Sequence, residues 1–201
     1  AIRLLEANQE KIDWYYLSEN TAPEAIKLLE ANPEKIIWFL LSGNPSAIKL
    51  IEANPEKIDW DFLSLNTSPG AIKYLEANQE KIHWSNLSGN PGAIKLLEAN
   101  PENINWIYLS GNPESTAITL LKSNPEKIVW WRLSKNPSAI NILEANQEHI
   151  DWEWMSANPA PGAIKLLEAN PEKIRWDFLS QNPAPGAMKL LEANQGKIDW
   201  N

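Results

Sequence analysis

The sequence contains no cysteine, so neither disulfide bonds nor thiolate zinc sites can stabilise its fold. No run of about 18 apolar residues is long enough to cross a bilayer, and no basic segment followed by an apolar one resembles a signal peptide. The sequence has 18 Lys and Arg residues and 26 Asp and Glu residues, so its net charge is −8. This balance opposes general phosphate binding, because non-specific nucleic-acid affinity depends on clustered cations. We expect an intracellular protein, cytoplasmic or virion-associated, that binds neither membrane nor nucleic acid.

What the sequence has in abundance is repetition, and a tryptophan marks each copy. The connection that varies in length is short from Asn44 to Ala47 and two residues longer from Asn66 to Ala71. A short, nearly constant period is typical of a solenoid, in which each repeat packs on its neighbours. We therefore predict a single repeat domain over residues 1–201, as part of a longer array. The recurring tryptophans, spaced by 22 or 24 residues, are Trp14, Trp38, Trp60, Trp84, Trp106, Trp130, Trp152, Trp176 and Trp200.

Each copy predicts two short helices, which we name A and B. Helix A reads AIKLLEAN in residues 93–100, with apolar residues at helical spacing and an outer row of Lys and Glu. Its final Asn tolerates the left-handed conformation that stops a helix. Helix B begins at the tryptophan, frequently after an Asp or Asn that can cap it, and ends at Leu-Ser-x-Asn. Because helices of about two turns are unstable alone, packing must hold them together. The predicted fold is an all-α solenoid of about nine two-helix repeats.

The main alternative is a leucine-rich repeat, which has a similar period but requires the strand pattern L-x-L. Here Trp60 and Leu63 are three residues apart, which is helical spacing. The pattern NPxAIxLLEANPEKIDWxxLSxNP resembles tandem Asn-Pro and Ile-Asp-Trp repeats in proteins of giant DNA viruses of protists, and the resemblance covers the whole chain. It implies a virus-like or protist-like origin and no mechanism. A consensus-influenced design would show the same regularity.

The recurring residues have structural interpretations. The tryptophan shares a side of helix B with the leucine three residues later, so we interpret it as a core residue that adds contact area. An aromatic ladder that stacks on a polysaccharide is the alternative. The Ser after that leucine is interpreted as a small residue with a local hydrogen bond, and the Asn after helix B as a cap.

No group of residues is typical of an active site. The two histidines, His83 and His149, lie in different copies and form no pair at metal-ligand spacing. The carboxylates recur in like surroundings, whereas an acid and a base need unlike ones. We expect no enzymatic activity, no cofactor and no metal.

The residues that differ between copies lie on one side of helix B, which we call the B face. It comprises the first, second and fifth positions after each recurring tryptophan, which a helical wheel turns away from that tryptophan. Aromatic side chains among scattered charges are typical of protein-recognition surfaces. The second position can equally pack on the next repeat. The candidate partner-binding residues are Tyr15, Phe39, Asp61, Ser85, Ile107, Trp131, Arg132, Glu153, Trp154 and Asp177.

The outer face of helix A is nearly the same in every copy, whereas the B face varies. This contrast predicts a non-enzymatic scaffold that binds a protein or an extended peptide along the B face. The alternative is a structural protein that associates with itself end to end, as a filament or virion component. The residues do not specify the partner.

Overall fold

The computed structural model describes residues 8–198, and this range contains 16 α-helices, short 3-10 helices and no strand. The predicted all-α solenoid of two-helix repeats is confirmed. The B helices are Trp14–Glu19, Trp38–Gly43, Trp60–Leu63, Trp84–Gly89, Trp106–Ser110, Trp130–Lys135, Trp152–Ser156 and Trp176–Leu179. The A helices are Pro23–Ala31, Ile48–Glu52, Pro69–Glu76, Ile94–Glu98, Ser115–Ser123, Ile140–Ala145, Pro161–Ala169 and Pro185–Ala193. Trp200 lies outside the described residues.

Short 3-10 helices complete the repeats. Seven of them join an A helix to the next B helix: Pro33–Lys35, Pro55–Lys57, Gln79–Lys81, Pro101–Asn103, Pro125–Lys127, Gln147–His149 and Pro171–Lys173. Gln9–Lys11 precedes the first B helix of the described range, and Gln195–Lys197 follows its last A helix. Two more, Pro91–Ala93 and Pro137–Ala139, open A helices after short connections.

Side chains define the helix ends. Asp59 begins a B helix by accepting the Phe62 N–H at 3.0 Å, as expected of a capping carboxylate. The ends of the A helices differ from the prediction, because no non-glycine residue in the described range has a positive φ. Asn54 instead adopts a φ of −135°, and its Nδ2 donates to the Leu50 carbonyl at 2.8 Å. An amide thus satisfies a carbonyl that the helix end leaves open.

The chain divides into two compact units, residues 1–104 and 105–201. In the first unit, Trp14–Glu19 packs on Trp38–Gly43, which packs on Trp60–Leu63. In the second, Trp130–Lys135 lies between Trp106–Ser110 and Trp152–Ser156. The A helices pack on B helices in both units, and in the second unit Pro161–Ala169 also packs between Ile140–Ala145 and Pro185–Ala193. Each unit is therefore a two-layered stack, while a single domain within a longer array stays a prediction.

The centre of each stack is aliphatic, and the tryptophans lie at its margin. The leucine three residues after the tryptophan is fully buried at Leu41, Leu63 and Leu87, and Met155 takes the same place later. The recurring tryptophans from 14 to 176 are only half-buried. Our interpretation of the tryptophan as a core residue therefore needs correction: the helical wheel gave its direction but not its depth.

A row of buried asparagines joins successive repeats. Asn66, which follows a B helix, donates from Nδ2 to the carbonyls of Ser42 and Asn44, both at 3.0 Å. Its Oδ1 accepts the Ser68 N–H at 3.0 Å. Only an amide combines these donors with an acceptor, so Asp or Ser could not replace it. The same three bonds recur at Asn44, Asn90, Asn136 and Asn182.

A row of serines runs beside the asparagines. Ser42 Oγ donates to the Trp38 carbonyl at 2.8 Å and accepts the Asp59 N–H of the following repeat at 3.0 Å. The predicted local bond is confirmed, and the contact to the next repeat adds to it. The pair of bonds recurs at Ser18, Ser64, Ser110, Ser134 and Ser156.

None of the helices between residues 8 and 198 is long and apolar enough to span a membrane.

Candidate partner-binding face

The large hydrophobic side chains that the described residues expose are concentrated on the B face. Seven of the eight lie at the first, second or fifth position after a recurring tryptophan. The eighth, Met188, belongs to an A helix. The seven are Tyr15, Tyr16, Phe39, Leu65, Ile107, Tyr108 and Trp131. If these side chains served only to pack the core, they would be buried and would not recur as exposed groups at the same repeat positions.

The first and second positions have different roles. The first is half-buried at Ser85 and Glu153 and exposed in the other six described copies. The second is exposed at Tyr16 and Tyr108, and Leu40 is buried there. Its half-buried members are Phe62, Asn86, Arg132, Trp154 and Phe178. Second-position side chains therefore pack mainly between repeats while leaving one edge open to a partner.

In the first unit the B face carries an aromatic cluster, defined as Tyr15, Tyr16, Phe39 and Phe62. The Tyr15 ring meets those of Tyr16 and Phe39 at centroid distances of 5.6 and 6.2 Å. Phe39 meets Phe62 at 5.1 Å. These tilted contacts hold the rings in place across successive repeats. Our candidate residues omitted Tyr16 and Phe62, although their second-position aromatic rings were a usable signal.

In the second unit a second aromatic cluster consists of Trp131, Trp154 and Phe178. Its ring centroids are 5.9 and 5.6 Å apart along that series. Cations lie against these rings, since the Arg132 guanidinium is 4.7 Å from the Trp131 centroid and Lys135 Nζ is 4.7 Å from that of Trp154. Such cation–π contacts fix both charges near the aromatic surface.

Two of the three acidic candidates, Glu153 and Asp177, form ion pairs within the described residues. Arg175 binds Glu153 at 3.1 Å and Asp177 at 3.3 Å. All three side chains remain well exposed, so the pairs contribute little to stability. Asp61 offers its main-chain carbonyl to Asn86 Nδ2 at 2.9 Å. Asp61, Ser85 and Ile107 belong to neither aromatic cluster.

The two units carry a pocket at the same repeat position, at the end of a B helix. The pocket of the first unit is lined by Glu19, Leu40, Gly43, Asn44 and Pro45, with Phe62 and Leu65 extending it. The pocket of the second unit is lined by the residues at the same repeat positions as the first five, which are Gly111, Arg132, Lys135, Asn136 and Pro137. The first pocket is apolar with an acidic rim, whereas the second is cationic.

Neighbouring side chains cover the rings of several recurring tryptophans. Lys81 Nζ lies 4.7 Å from the Trp60 ring centroid, and Tyr74 stacks on the same side chain at 5.9 Å. His149 stacks on Trp130 at 4.5 Å. Neighbouring side chains thus occupy ring surface that stacking on a polysaccharide would require.

Within residues 8–198 no group of three or more His, Asp and Glu side chains is placed to hold a metal ion. Comparison with protein-family models, with curated proteins and with solved structures finds no match. The resemblance to giant-virus repeats therefore rests on the repeat sequence alone.

Proposed function

We propose that this chain is a non-enzymatic scaffold that binds a protein or an extended peptide through the B face of each unit. The observation that carries the proposal is the placement of seven of the eight exposed large hydrophobic side chains on that face. Exposed aromatic side chains are disproportionately used as anchors in protein interfaces. Solvent-exposed apolar area of this kind marks an interaction site more often than a surface selected only for solubility.

The pre-arranged rings support a peptide-like partner. Tyr15, Phe39 and Phe62 come from three successive repeats and touch in series. Trp131, Trp154 and Phe178 do the same in the second unit. Side chains already packed against each other lose little freedom on binding, which favours affinity. A partner that runs across several repeats can add several such contacts.

The outer side of the A helices provides the contrast. Lys27, Lys49, Lys73 and Lys165 are exposed there and alternate with glutamates. Lysine and glutamate are depleted in interface cores. Substitutions on this side of the A helices therefore serve as the control for substitutions on the B face.

A displayed library of random peptides, selected against the whole chain, tests the proposal. The B-face variant combines Tyr15→Ser, Phe39→Ser, Ile107→Ser and Trp131→Ser. The control combines Lys27→Ser, Lys49→Ser, Lys73→Ser and Lys165→Ser. Selected peptides should bind the B-face variant at least about tenfold more weakly and the control nearly unchanged, because aromatic anchors dominate interface energy. Thermal melting of all three proteins confirms that each is folded.

Equal peptide affinity for the parent and the B-face variant would contradict the proposal. Sedimentation of the chain alone provides a second check, because concentration-dependent assembly lost in the B-face variant would assign this face to self-association instead.

A further inference from the structure

The cationic pocket of the second unit lies at the end of the B helix Trp130–Lys135. It encloses about 250 Å³ and is lined by Gly111, Arg132, Lys135, Asn136 and Pro137. Two cationic side chains and no acidic one line it, in a chain whose net charge is −8. Positive charge is therefore concentrated at this point of the B face.

Arg132 is fixed in position without an acidic partner. Its guanidinium lies 4.7 Å from the Trp131 ring centroid and 5.6 Å from that of Tyr108. A methyl group on Gly111 would lie 3.8 Å from Arg132 Cδ, so the arginine stem packs over this glycine. Aromatic faces and a small neighbour thus orient the guanidinium plane before any ligand arrives.

The hydrogen-bonding capacity of Arg132 is incompletely used. Its Nε is buried and has no hydrogen-bond partner among residues 8–198. Within the same described range, no Asp or Glu forms an ion pair with Arg132 or Lys135, whereas Arg175 forms two. A buried donor without an acceptor is unfavourable, so a shift of the side chain that brings Nε to a ligand oxygen would relieve that cost.

We propose that this pocket binds a carboxylate side chain of an acidic segment in the partner, while the Trp131 and Trp154 rings contact apolar residues next to it. The guanidinium fork matches the two oxygens of a carboxylate, and the Lys135 ammonium adds a point charge. A dianionic phosphate offers similar oxygen acceptors but has a larger negative charge than a carboxylate. The net negative charge of the chain therefore repels phosphate more strongly. The inference rests on the proposed function and names the chemistry that one B-face pocket recognises.

The equivalent pocket of the first unit is an internal contrast. Leu40 and Gly43 stand where Arg132 and Lys135 stand, and Glu19 replaces Gly111. An acidic segment should therefore avoid this pocket, since its rim carries a like charge.

The test uses the whole ¹⁵N-labelled chain and an acetylated, amidated hexapeptide of alternating glutamate and leucine at low salt. The indole N–H signals of Trp131 and Trp154 report binding. Arg132→Gln with Lys135→Gln should weaken binding about tenfold, as expected for charge-assisted hydrogen bonds. The control, Lys122→Gln with Lys165→Gln, makes the same change in net charge at exposed A-helix positions and should bind like the parent.

Two further probes identify the ligand chemistry. A glutamine–leucine hexapeptide of the same length should bind at least about fivefold more weakly, because it lacks the charge that strengthens these hydrogen bonds. Inorganic phosphate should not displace the glutamate–leucine peptide at equal concentration. Displacement at equal concentration would assign a phosphate-type oxyanion to the pocket and overturn the carboxylate assignment.

Equal binding of the glutamate–leucine peptide to the parent and to the Arg132/Lys135 variant would also overturn the inference, as would the absence of a saturable shift up to about 1 mM peptide. If this peptide keeps its affinity for the Arg132/Lys135 variant but loses it with the B-face serine variant, only the pocket assignment fails. If library-selected peptides ignore the serine changes as well, the proposed function fails with it.

Discussion

The pockets at the ends of the B helices Trp38–Gly43 and Trp130–Lys135 occupy the same place in the repeat and differ in chemistry. Leu40 and Gly43 give the first an apolar floor, whereas Arg132 and Lys135 make the second cationic. The backbone at the two pockets is nonetheless the same, since Asn44 and Asn136, which end the two helices, have φ of −79° and −78° and ψ of 113° and 114°. The comparison separates residues that make the fold from residues free to specify a partner.

The shared interior is polar as well as aliphatic. Asn66 in the first unit and Asn136 in the second each donate to two carbonyls of the preceding repeat and accept one N–H of their own loop. These bonds satisfy main-chain groups that such short helices leave unpaired. Variants at equivalent positions of the two units test whether their interiors are as alike as their surfaces are different.

The largest expected effect is on stability. Asn66→Ala and Asn136→Ala should each lower the free energy of unfolding by about 3 kcal/mol, since three hydrogen bonds are lost and buried groups are left unpaired. Denaturant unfolding of each variant measures this. Asn54→Ala is the control, because it removes a single half-buried bond to the Leu50 carbonyl. A loss at Asn66 several times that at Asn136 would show that the interiors are not equivalent.

The next effect concerns glycines that contact the preceding A helix. A methyl group on Gly162 would lie 2.5 Å from Ile140 Cγ2, and one on Gly70 would lie 2.8 Å from Ile48 Cγ1. Gly162→Ala and Gly70→Ala should each cost about 1 to 2 kcal/mol through overpacking. In Gly111→Ala the added methyl has no contact closer than 3.6 Å, so this control should melt like the parent. Equal melting temperatures for all of these proteins would refute the close contact.

A smaller effect should follow the transfer of the pocket chemistry. Glu19→Gly, Leu40→Arg and Gly43→Lys together place the cationic residues in the first unit. Leu40 is buried whereas Arg132 is half-buried, so thermal melting first establishes that the variant is folded. Position 43 has room, since a Cβ there would lie 3.7 Å from its nearest neighbour. Combined with Arg132→Gln and Lys135→Gln, the transfer should restore roughly half of the tenfold loss in affinity for the glutamate–leucine peptide, because the new site lacks the Trp131 contact. Calorimetric titration measures it. No recovery at all would mean that the pocket position alone does not determine the ligand.

The smallest effect concerns two B helices without a side-chain cap, one taken from each unit. Ile37 and Val129 precede B helices and supply no side-chain hydrogen bond to the first turn. Ile37→Asp and Val129→Asp should each add about 0.5 kcal/mol of stability, because the gain from a cap is partly offset by lost apolar burial. Asp59→Ala, which removes a cap, should act in the opposite direction. Destabilisation by either aspartate substitution would indicate that the half-buried side chain contributes more than the missing cap.

Helical periodicity predicted much of this architecture. The three-residue step from Trp60 to Leu63 placed the B helix correctly, and the Lys and Glu row placed the outer side of helix A. The first position after each tryptophan was expected to face outward, and Tyr15, Phe39 and Trp131 do so. These inferences succeed because they depend only on directions within one helix.

Properties that depend on the neighbouring repeat were missed. The wheel could not give the depth of the tryptophans, nor the bonds from Asn66 to Ser42 and Asn44, because both depend on how repeats stack. One signal was present: Asn follows every complete B helix, whereas a simple cap position would accept Asp, Ser or Thr as well. The Arg132 pocket was missed for the same reason, since Gly111 belongs to the preceding repeat.

Hydroxyl-radical footprinting of the chain, with and without a library-selected peptide at saturation, shows whether the partner covers the B face. Tyr15, Tyr108 and Trp131 report on the B face, and the exposed Met188 reports on the A helices in the same sample. We expect oxidation of one or more of these three rings to fall while that of Met188 is unchanged. Protection of Met188 with no change at the three rings would contradict this expectation.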